Sequence, residues 1–153
     1  MKKIIIITVT CLMAIFAKAQ VITSSDILKN YQDAVNTIQN EYFYNSDMEN
    51  GKIINLYVYR SDNSGSSLIR PTLKYHYEYD EADRMISRTT SKWDGAILKW
   101  VVDNCLNFTY NSNGYSVEMC KWNDVTKQFV KPSEKKVYNI STDHDLASYT
   151  VQK

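Results

Sequence analysis

The first periodic pattern along the chain is helical. Between Thr23 and about Tyr42, apolar residues recur every three or four positions and form one stripe: Ile27, Tyr31, Ala34, Val35, Ile38 and Tyr42. Asn, Gln and Lys fill the opposite face, and the Thr23-Ser24-Ser25-Asp26 run offers hydroxyl caps with an acid in the first turn. The pattern predicts one amphipathic helix over about residues 24–42 that packs on a sheet, with partner binding through the stripe as the alternative.

After Tyr42 the pattern changes from helical spacing to alternation. Tyr, Val, Ile, Thr and Trp dominate in alternating runs, as in strands that bury one face. The chain has only four glycines, and each stands at an apparent turn: Asn50-Gly51, Ser64-Gly65, Asp94-Gly95 and Asn113-Gly114. These features predict β-hairpins.

The hairpins repeat along the chain. Residues 92–101 align without a gap on residues 121–130 at an offset of 29, and residues 77–85 align on 108–116 at an offset of 31. A weaker copy follows at 138–146, and a first copy begins at Tyr42. The unit of about 30 residues, with two strands and two turns, predicts a mainly β fold: an antiparallel meander of about eight strands over residues 43–153.

The N-terminus has a separate pattern. Met1-Lys2-Lys3 is cationic, residues 4–16 are almost wholly apolar, and Ala17-Lys18-Ala19 has small residues at the two positions that a signal peptidase reads. This predicts a secretory signal peptide over residues 1–19, cut before Gln20. The apolar run is too short to span a bilayer, so we expect no transmembrane segment in the mature chain and a location in the periplasm or outside the cell.

Removing the signal changes the charge and the cysteine count. Loss of 19 of the 153 residues, including three of the 18 basic ones, leaves 134 residues with 15 Lys and Arg against 17 Asp and Glu, a net charge of −2. This charge gives no electrostatic footprint for nucleic acid, so none is expected as a partner. The length fits a single domain over residues 20–153, and two cysteines remain.

The hairpin register places those two cysteines, Cys105 and Cys120, opposite each other. If residues 111–114 form the loop, six apolar or aromatic residues fall on one face: Leu106, Phe108, Tyr110, Tyr115, Val117 and Met119. A slip of one residue would oppose Phe108 to Glu118. A loop of four residues closing on a hydrogen-bonded pair makes the cysteine pair a non-hydrogen-bonded one, with its side chains close together. We therefore expect a Cys105–Cys120 disulfide in an oxidising compartment, with two free thiols as the alternative.

Tyrosines alternate along one predicted strand. Tyr75, Tyr77 and Tyr79 share a face because side chains alternate with a period of two, and we expect Tyr57 and Tyr59 of the preceding strand on the same face. The helix stripe is the natural cover for that face, and the opposite face is expected to be largely solvated.

The large rings carry the strongest functional signal. Four of them bracket equivalent six-residue segments in the two gapless copies, and we call them the aromatic edge: Trp93 and Trp100, then Trp122 and Phe129. In a meander both segments lie at the same edge, where exposed rings can stack on a glycan or grip a peptide. Packing of the rings in pairs, which only closes two loops, is the alternative. A two-residue Asp94-Gly95 turn would instead pair Trp93 with Ala96, but the gapless match favours the wider loop.

One hairpin resembles a known repeat. Tyr79-Asp80, followed after a turn by Arg84-Met85, resembles the tyrosine–aspartate (YD) hairpin repeats of Rhs-type surface proteins, which have Gly where this chain has Asp83. The whole chain is similar to small secreted Bacteroides-group proteins of a domain-of-unknown-function family, which also join a signal peptide to Tyr/Trp-rich hairpins. The resemblance implies a β-meander and brings no catalytic residues with it.

Motifs for catalysis are missing from the sequence. It has no Gly-rich phosphate loop, His-Glu-x-x-His, Gly-x-Ser-x-Gly or Cys-x-x-Cys, and we interpret His76 and His144 as structural. Asp80, Glu81 and Asp83 offer carboxylate oxygens of the kind that bind calcium. Acidic residues are also common in turns, where their side chains bond to nearby backbone amides, so no metal or cofactor is expected. The sequence favours a non-catalytic binding module over a structural protein that assembles through sheet edges, and both over a small hydrolase with an unrecognised acid pair.

Overall fold

The computed structural model describes residues 21–36, 41–61, 68–111, 114–131, 135–139 and 148–152. In these residues the chain forms one helix and then nine strands: α1 (Ser24–Asn36), β1 (Tyr42–Glu49), β2 (Lys52–Ser61), β3 (Ile69–Tyr79), β4 (Met85–Asp94), β5 (Lys99–Asn111), β6 (Gly114–Asn123), β7 (Gln128–Val130), β8 (Lys135–Asn139) and β9 (Ser148–Gln152). The mainly β fold is confirmed. The expected signal peptide at residues 1–19 lies outside the described residues.

The strands form one antiparallel sheet in the order β1-β2-β3-β4-β5-β6-β8-β9, with β7 also paired to β6. This is the predicted meander, in which each strand pairs with the next along the chain up to β6. The described part has nine strands rather than about eight, because Gln128–Val130 turns back to pair with the end of β6 as a short additional strand.

The start of α1 follows the prediction, whereas its end does not. Thr23 and Asp26 form a reciprocal capping box: Asp26 N–H donates to Thr23 Oγ1 at 3.3 Å, and Thr23 N–H donates to Asp26 Oδ2 at 2.9 Å. The predicted extension to Tyr42 is wrong, because Tyr42 opens β1 opposite Arg60, whose guanidinium lies 5.9 Å from the Tyr42 ring centre. Tyr42 fits the helical spacing and also begins the alternating run.

The core lies between α1 and one face of β2 to β4. Its buried members are Ile22, Ile27, Ile53, Tyr77 and Met85. Backbone bonds fasten the segment before the helix to the sheet, since Met85 N–H donates to the Ile22 carbonyl at 2.7 Å. The Tyr110 hydroxyl of β5 donates to the Met85 carbonyl at 2.7 Å and so ties a third element to this junction.

We call the sheet face away from α1 the outer face. Residues directly opposed in an antiparallel pair share a face, and successive pairs carry this face from β2 to β6: Asn55 with His76, His76 with Thr89, Thr89 with Cys105, and Cys105 with Cys120. Side chains alternate along a strand, so Tyr57, Trp93 and Trp122 lie on the outer face as well.

The prediction that Tyr57 shares a face with Tyr75, Tyr77 and Tyr79 is therefore wrong. Tyr75 lies opposite Leu56, and both pack against the core cluster beneath α1. Tyr57 lies opposite Lys74 and so belongs to the outer face. A common face for Tyr57 and Tyr75 would need a β2–β3 register shifted by one residue, because such a shift moves every side chain of a strand to the other face.

Candidate functional site: the aromatic edge

The hairpin ends β4–β5 and β6–β7 are built in the same way. Asp94 Oδ1 accepts hydrogen bonds from the Ala96 and Ile97 amides at 2.8 and 3.3 Å. Asn123, which is 29 positions later, accepts through Oδ1 from the amides of residues 125 and 126 at 2.9 and 3.1 Å. In both loops a side-chain oxygen satisfies turn amides, as Asp and Asn commonly do.

The backbone of the two loops also matches. Leu98 and Lys127 occupy equivalent positions and have positive φ angles of 52° and 54°. The strands pair Trp93 with Trp100 in one hairpin and Trp122 with Phe129 in the other. The prediction of a wider loop is confirmed, and the two-residue Asp94-Gly95 turn is excluded.

The four rings of the aromatic edge form two edge-to-face pairs. The ring centres of Trp93 and Trp100 lie 5.2 Å apart with planes at 70°, and those of Trp122 and Phe129 lie 5.0 Å apart at 69°. This is the favourable arrangement for aromatic pairs. The three indoles are half-buried and Phe129 is 38% exposed, so the rings both close their loops and remain accessible to solvent.

A fifth ring joins this surface from a distant strand of the same sheet face. Tyr57 of β2 lies on the outer face with its ring centre 6.1 Å from that of Trp100, and the Lys74 ammonium lies 5.4 Å from the Tyr57 ring centre. The Tyr57 hydroxyl donates to Asp47 at 2.7 Å, and this bond raises the pKa of Tyr57 to about 12. The sequence analysis missed Tyr57 because it assigned that residue to the opposite face.

Trp100 and Trp122 line one cleft between the two hairpin ends. The cleft has a volume of about 450 Å³. Its walls carry two aspartates and two lysines from the loops and strand ends: Asp94, Lys99, Asp124 and Lys127. Trp93 and Phe129, the ring partners of the two lining indoles, do not line it. The two hairpins therefore contribute one indole each to a shared concave surface with balanced charge.

Two of the carboxylates that could bind calcium at the acidic turn, those of Asp80 and Asp83, are bonded to other groups of the protein. The Asp80 carboxylate accepts from the Arg84 backbone amide at 2.9 Å and from Arg84 Nε at 2.7 Å, and these bonds hold its pKa below the usual value. Lys52 and Ser24 bond to Asp83 and likewise lower the pKa of its carboxyl. Glu81 is exposed, and no cluster of three metal-ligating side chains occurs in the part of the chain that the structure describes.

Cys105 and Cys120 lie directly opposite each other, as the register predicted. The structure has them as free thiols, so the expected disulfide is absent from it. Asn107 lies between the sulfurs: its Oδ1 is 3.4 Å from Cys105 Sγ, and its Nδ2 is 3.5 Å from Cys120 Sγ. Burial raises the pKa of the Cys120 thiol.

The loop length explains why the geometry differs from the one assumed. Asn111 pairs with Gly114, so only two residues connect β5 to β6, instead of the four assumed from the sequence. A two-residue loop closes on a hydrogen-bonded pair, and alternation over the six residues back to Cys105 makes the cysteine pair hydrogen-bonded too. Side chains of such a pair stand farther apart than those of a non-hydrogen-bonded pair.

A second cleft, of about 540 Å³, lies near the β1–β2 turn and includes His76 and Glu78 in its lining. His76 Nδ1 is 3.1 Å from Asn55 Oδ1, and the Glu78 carboxylate accepts from Ser87 Oγ at 2.5 Å. Both side chains are thus bonded to neighbouring strands.

His144, the other histidine of the sequence analysis, lies outside the described residues.

The sequence of the chain matches a known protein family. Residues 1–140 match the family described as a family of unknown function, DUF3836. The chain belongs to the DUF3836 family. The predicted membership of a domain-of-unknown-function family in the Bacteroides group is thereby confirmed. No curated protein matches the chain.

Solved structures with the same fold include two proteins of this family. A DUF3836 protein from Bacteroides vulgatus ATCC 8482 is 21% identical, with a TM-score of 0.55 over 60% of this chain and 91% of that one. A DUF3836 protein from Parabacteroides distasonis ATCC 8503 is 24% identical, with a TM-score of 0.54 over 58% and 81%. A protein of unknown function from Bacteroides fragilis NCTC 9343 is 21% identical, with a TM-score of 0.60 over 74% and 89%. These similarities establish the fold of the DUF3836 chain. Within its described residues, no helix has the length and apolar character needed to cross a membrane.

Proposed function

We propose that this protein is an exported, non-catalytic binding module whose ligand contacts the aromatic edge. The observation that carries the proposal is the cleft, because Trp100 and Trp122 come from different hairpins and line the same concave surface. Half-buried aromatic rings offer large contact area at low entropic cost, and their partial burial fixes their orientation before a ligand arrives. The signal-like pattern of residues 1–19 supports export, and a glycan or a peptide is the expected ligand.

Matched variants test the role of the cleft. Tryptophan fluorescence is measured while glycans and a peptide library are added to the mature protein. We expect at least one ligand to change the emission, and we expect Trp100→Ala or Trp122→Ala to abolish its binding. Trp93→Ala and Phe129→Ala are the comparison variants: each removes a ring that packs on a cleft indole from outside the cleft, so a smaller loss of binding is expected. Equal losses in all four variants would reduce the rings to a structural role.

Assembly through a sheet edge is the second candidate function. β1 is the first strand in the sheet order, and its Phe43 and Met48 side chains are 44% and 51% exposed. Exposed edge strands with apolar side chains can pair with another chain. This alternative predicts a mass that rises with concentration in light scattering and falls to the monomer mass in Phe43→Lys, whereas the binding module stays monomeric.

We further infer that residues 77–101 and 108–130 descend from one duplicated unit, whose Tyr79-Asp80 hairpin is related to YD-type repeats. An offset of 29 residues supports the inference. It relates Asp94 to Asn123, whose side-chain oxygens accept from the turn amides, and it relates Leu98 to Lys127, which both have a positive φ angle. The left-handed Asp83, where those repeats have Gly, fits the same relation. Exchanging loop 95–98 for loop 124–127 tests it: the chimera is expected to fold with wild-type stability, and a large loss would contradict common descent.

A further inference from the structure

We propose that the cleft between Trp100 and Trp122 binds an uncharged carbohydrate. This inference rests on the proposed binding function and deepens it by naming the class of ligand. It depends on three features of the cleft: the balance of its charges, the unused carboxylate oxygens beside the rings, and the presence of one indole on each side.

The charges of the cleft cancel within it. Asp94 and Asp124 contribute two negative charges, and Lys99 and Lys127 contribute two positive ones. Lys127 Nζ lies 3.5 Å from Asp124 Oδ1, so one of these pairs is a direct ion pair. A cleft without net charge gives no electrostatic preference for an anionic or a cationic ligand, and it therefore suits a neutral polar one.

Each aspartate holds its loop with one oxygen and leaves the other available. Asp94 Oδ1 accepts from two loop amides, and Asp124 Oδ1 accepts from the Trp122 indole N–H at 3.2 Å and from the Lys127 ammonium. The Oδ2 atoms of both accept no hydrogen bond from the rest of the described chain. Carboxylate oxygens that are held in place next to aromatic rings are suited to sugars, whose hydroxyls donate and whose C–H faces are apolar.

The Asp124–Trp122 bond also orients the indole. Because Asp124 accepts the indole N–H and Phe129 contacts the same ring edge-to-face, Trp122 is fixed from two directions. A fixed ring loses little entropy when a flat ligand stacks on it. Trp100 lies between two rings, with the Trp93 ring edge-to-face at 5.2 Å and the Tyr57 ring tilted at 6.1 Å.

A peptide ligand would bind to the backbone edge of β5 beside the cleft rather than to the carboxylates. Lys99 to Val102 of β5 pair only with β4 among the described residues, so their second backbone edge could accept an added strand. Such a ligand bonds main chain to main chain and has no need of the carboxylates. Asp124→Asn therefore separates the two classes: it is expected to weaken a glycan and to leave a peptide unaffected.

The experiment is isothermal titration calorimetry of the mature protein with cellohexaose, mannohexaose and maltohexaose. Hexagalacturonate and hexameric chitosan are the charged comparisons, and extended hexapeptides form the second arm. We expect one neutral oligosaccharide to bind at least 10-fold more tightly than both charged ones, and we expect Asp124→Asn to weaken it about 10-fold. Circular dichroism and thermal unfolding establish that each variant is folded.

The failures of the two proposals are distinguishable. Preference for a charged oligosaccharide, or glycan binding unaffected by Asp124→Asn and by Trp100→Ala, overturns the carbohydrate inference. Peptide binding that is lost in Trp122→Ala overturns it too, while the proposed binding function stands. If no arm of the titration gives heat and no library ligand changes the fluorescence, both proposals fall.

Discussion

At the scale of single residues, a left-handed backbone conformation limits which residue types fit a turn without a cost in stability. Positive φ angles occur at Asn50, Asp83, Leu98 and Lys127 among the described non-glycine residues. Asn and Asp adopt this conformation at modest cost, whereas Leu carries a cost of about 1–2 kcal/mol there. Leu98 is 70% exposed, so little burial offsets that cost.

Leu98→Gly is therefore expected to stabilise the protein. Glycine adopts a positive φ freely but is more flexible in the unfolded chain, so the net gain in unfolding free energy is about 0.5–1 kcal/mol. Urea denaturation measures it. Leu98→Ala is the control, because it removes the side chain but keeps the Cβ atom, and no gain is expected. An equal gain in both variants would assign the effect to the exposed side chain.

Asp80 makes stability depend on pH. Bonds from Arg84 lower the pKa of its carboxyl in the folded state, so its stabilising contribution is complete above the unfolded pKa of about 3.9 and is lost as the pH falls through the folded value. We expect Asp80→Asn to flatten the acid limb of a plot of stability against pH. Glu81→Gln in the same turn should leave that limb unchanged, and similar slopes for Asp80→Asn and wild type would contradict the account.

At the scale of elements, the helix is held by few but well-buried contacts. Ile27 is buried in the core cluster with Ile53, Tyr77 and Met85, whereas Val35 near the end of α1 is 50% exposed. The sequence predicted the cap and the stripe of this helix correctly, because both depend on local spacing. It misplaced the helix end because Tyr42 satisfies the helical and the strand pattern together.

Ile27→Ala is expected to lower the free energy of unfolding by about 2–5 kcal/mol, because it leaves a cavity in the core. Val35→Ala on the same helix is expected to change it by less than about 0.5 kcal/mol. Thermal or urea unfolding followed by far-ultraviolet circular dichroism gives both values. A small effect at Ile27 would mean that α1 does not help to hold the sheet.

The register of a hairpin was predictable where a sequence repeat or an apolar face allows only one pairing. The gapless copies fixed the pairing of Trp93 with Trp100, and the apolar face fixed that of Cys105 with Cys120. The β5–β6 loop length was not determined, because loops of two and of four residues give the same partners and differ only in which pairs are hydrogen-bonded. Tyr57 was missed for a related reason, since β2 is rich in apolar residues on both faces.

At the scale of the whole molecule, the sheet separates two kinds of surface. One face carries α1 and the core, and the outer face carries Tyr57 and the aromatic edge, with the cleft at the ends of two hairpins. The sequence predicted which four rings lie near each other in pairs. It did not predict that Trp100 and Trp122 share a cleft, because that depends on how the two hairpin ends lie next to each other in the sheet.

The most direct test of the aromatic edge as a binding surface is a ¹H–¹⁵N correlation spectrum of the mature protein, recorded during titration with the oligosaccharides and hexapeptides. The chain has three tryptophans, so three indole N–H signals report on Trp93, Trp100 and Trp122 separately. We predict that a ligand shifts the Trp100 and Trp122 signals together and the Trp93 signal less. Shifts confined to the amides of α1 or β1, with all three indole signals unmoved at saturation, would contradict the account.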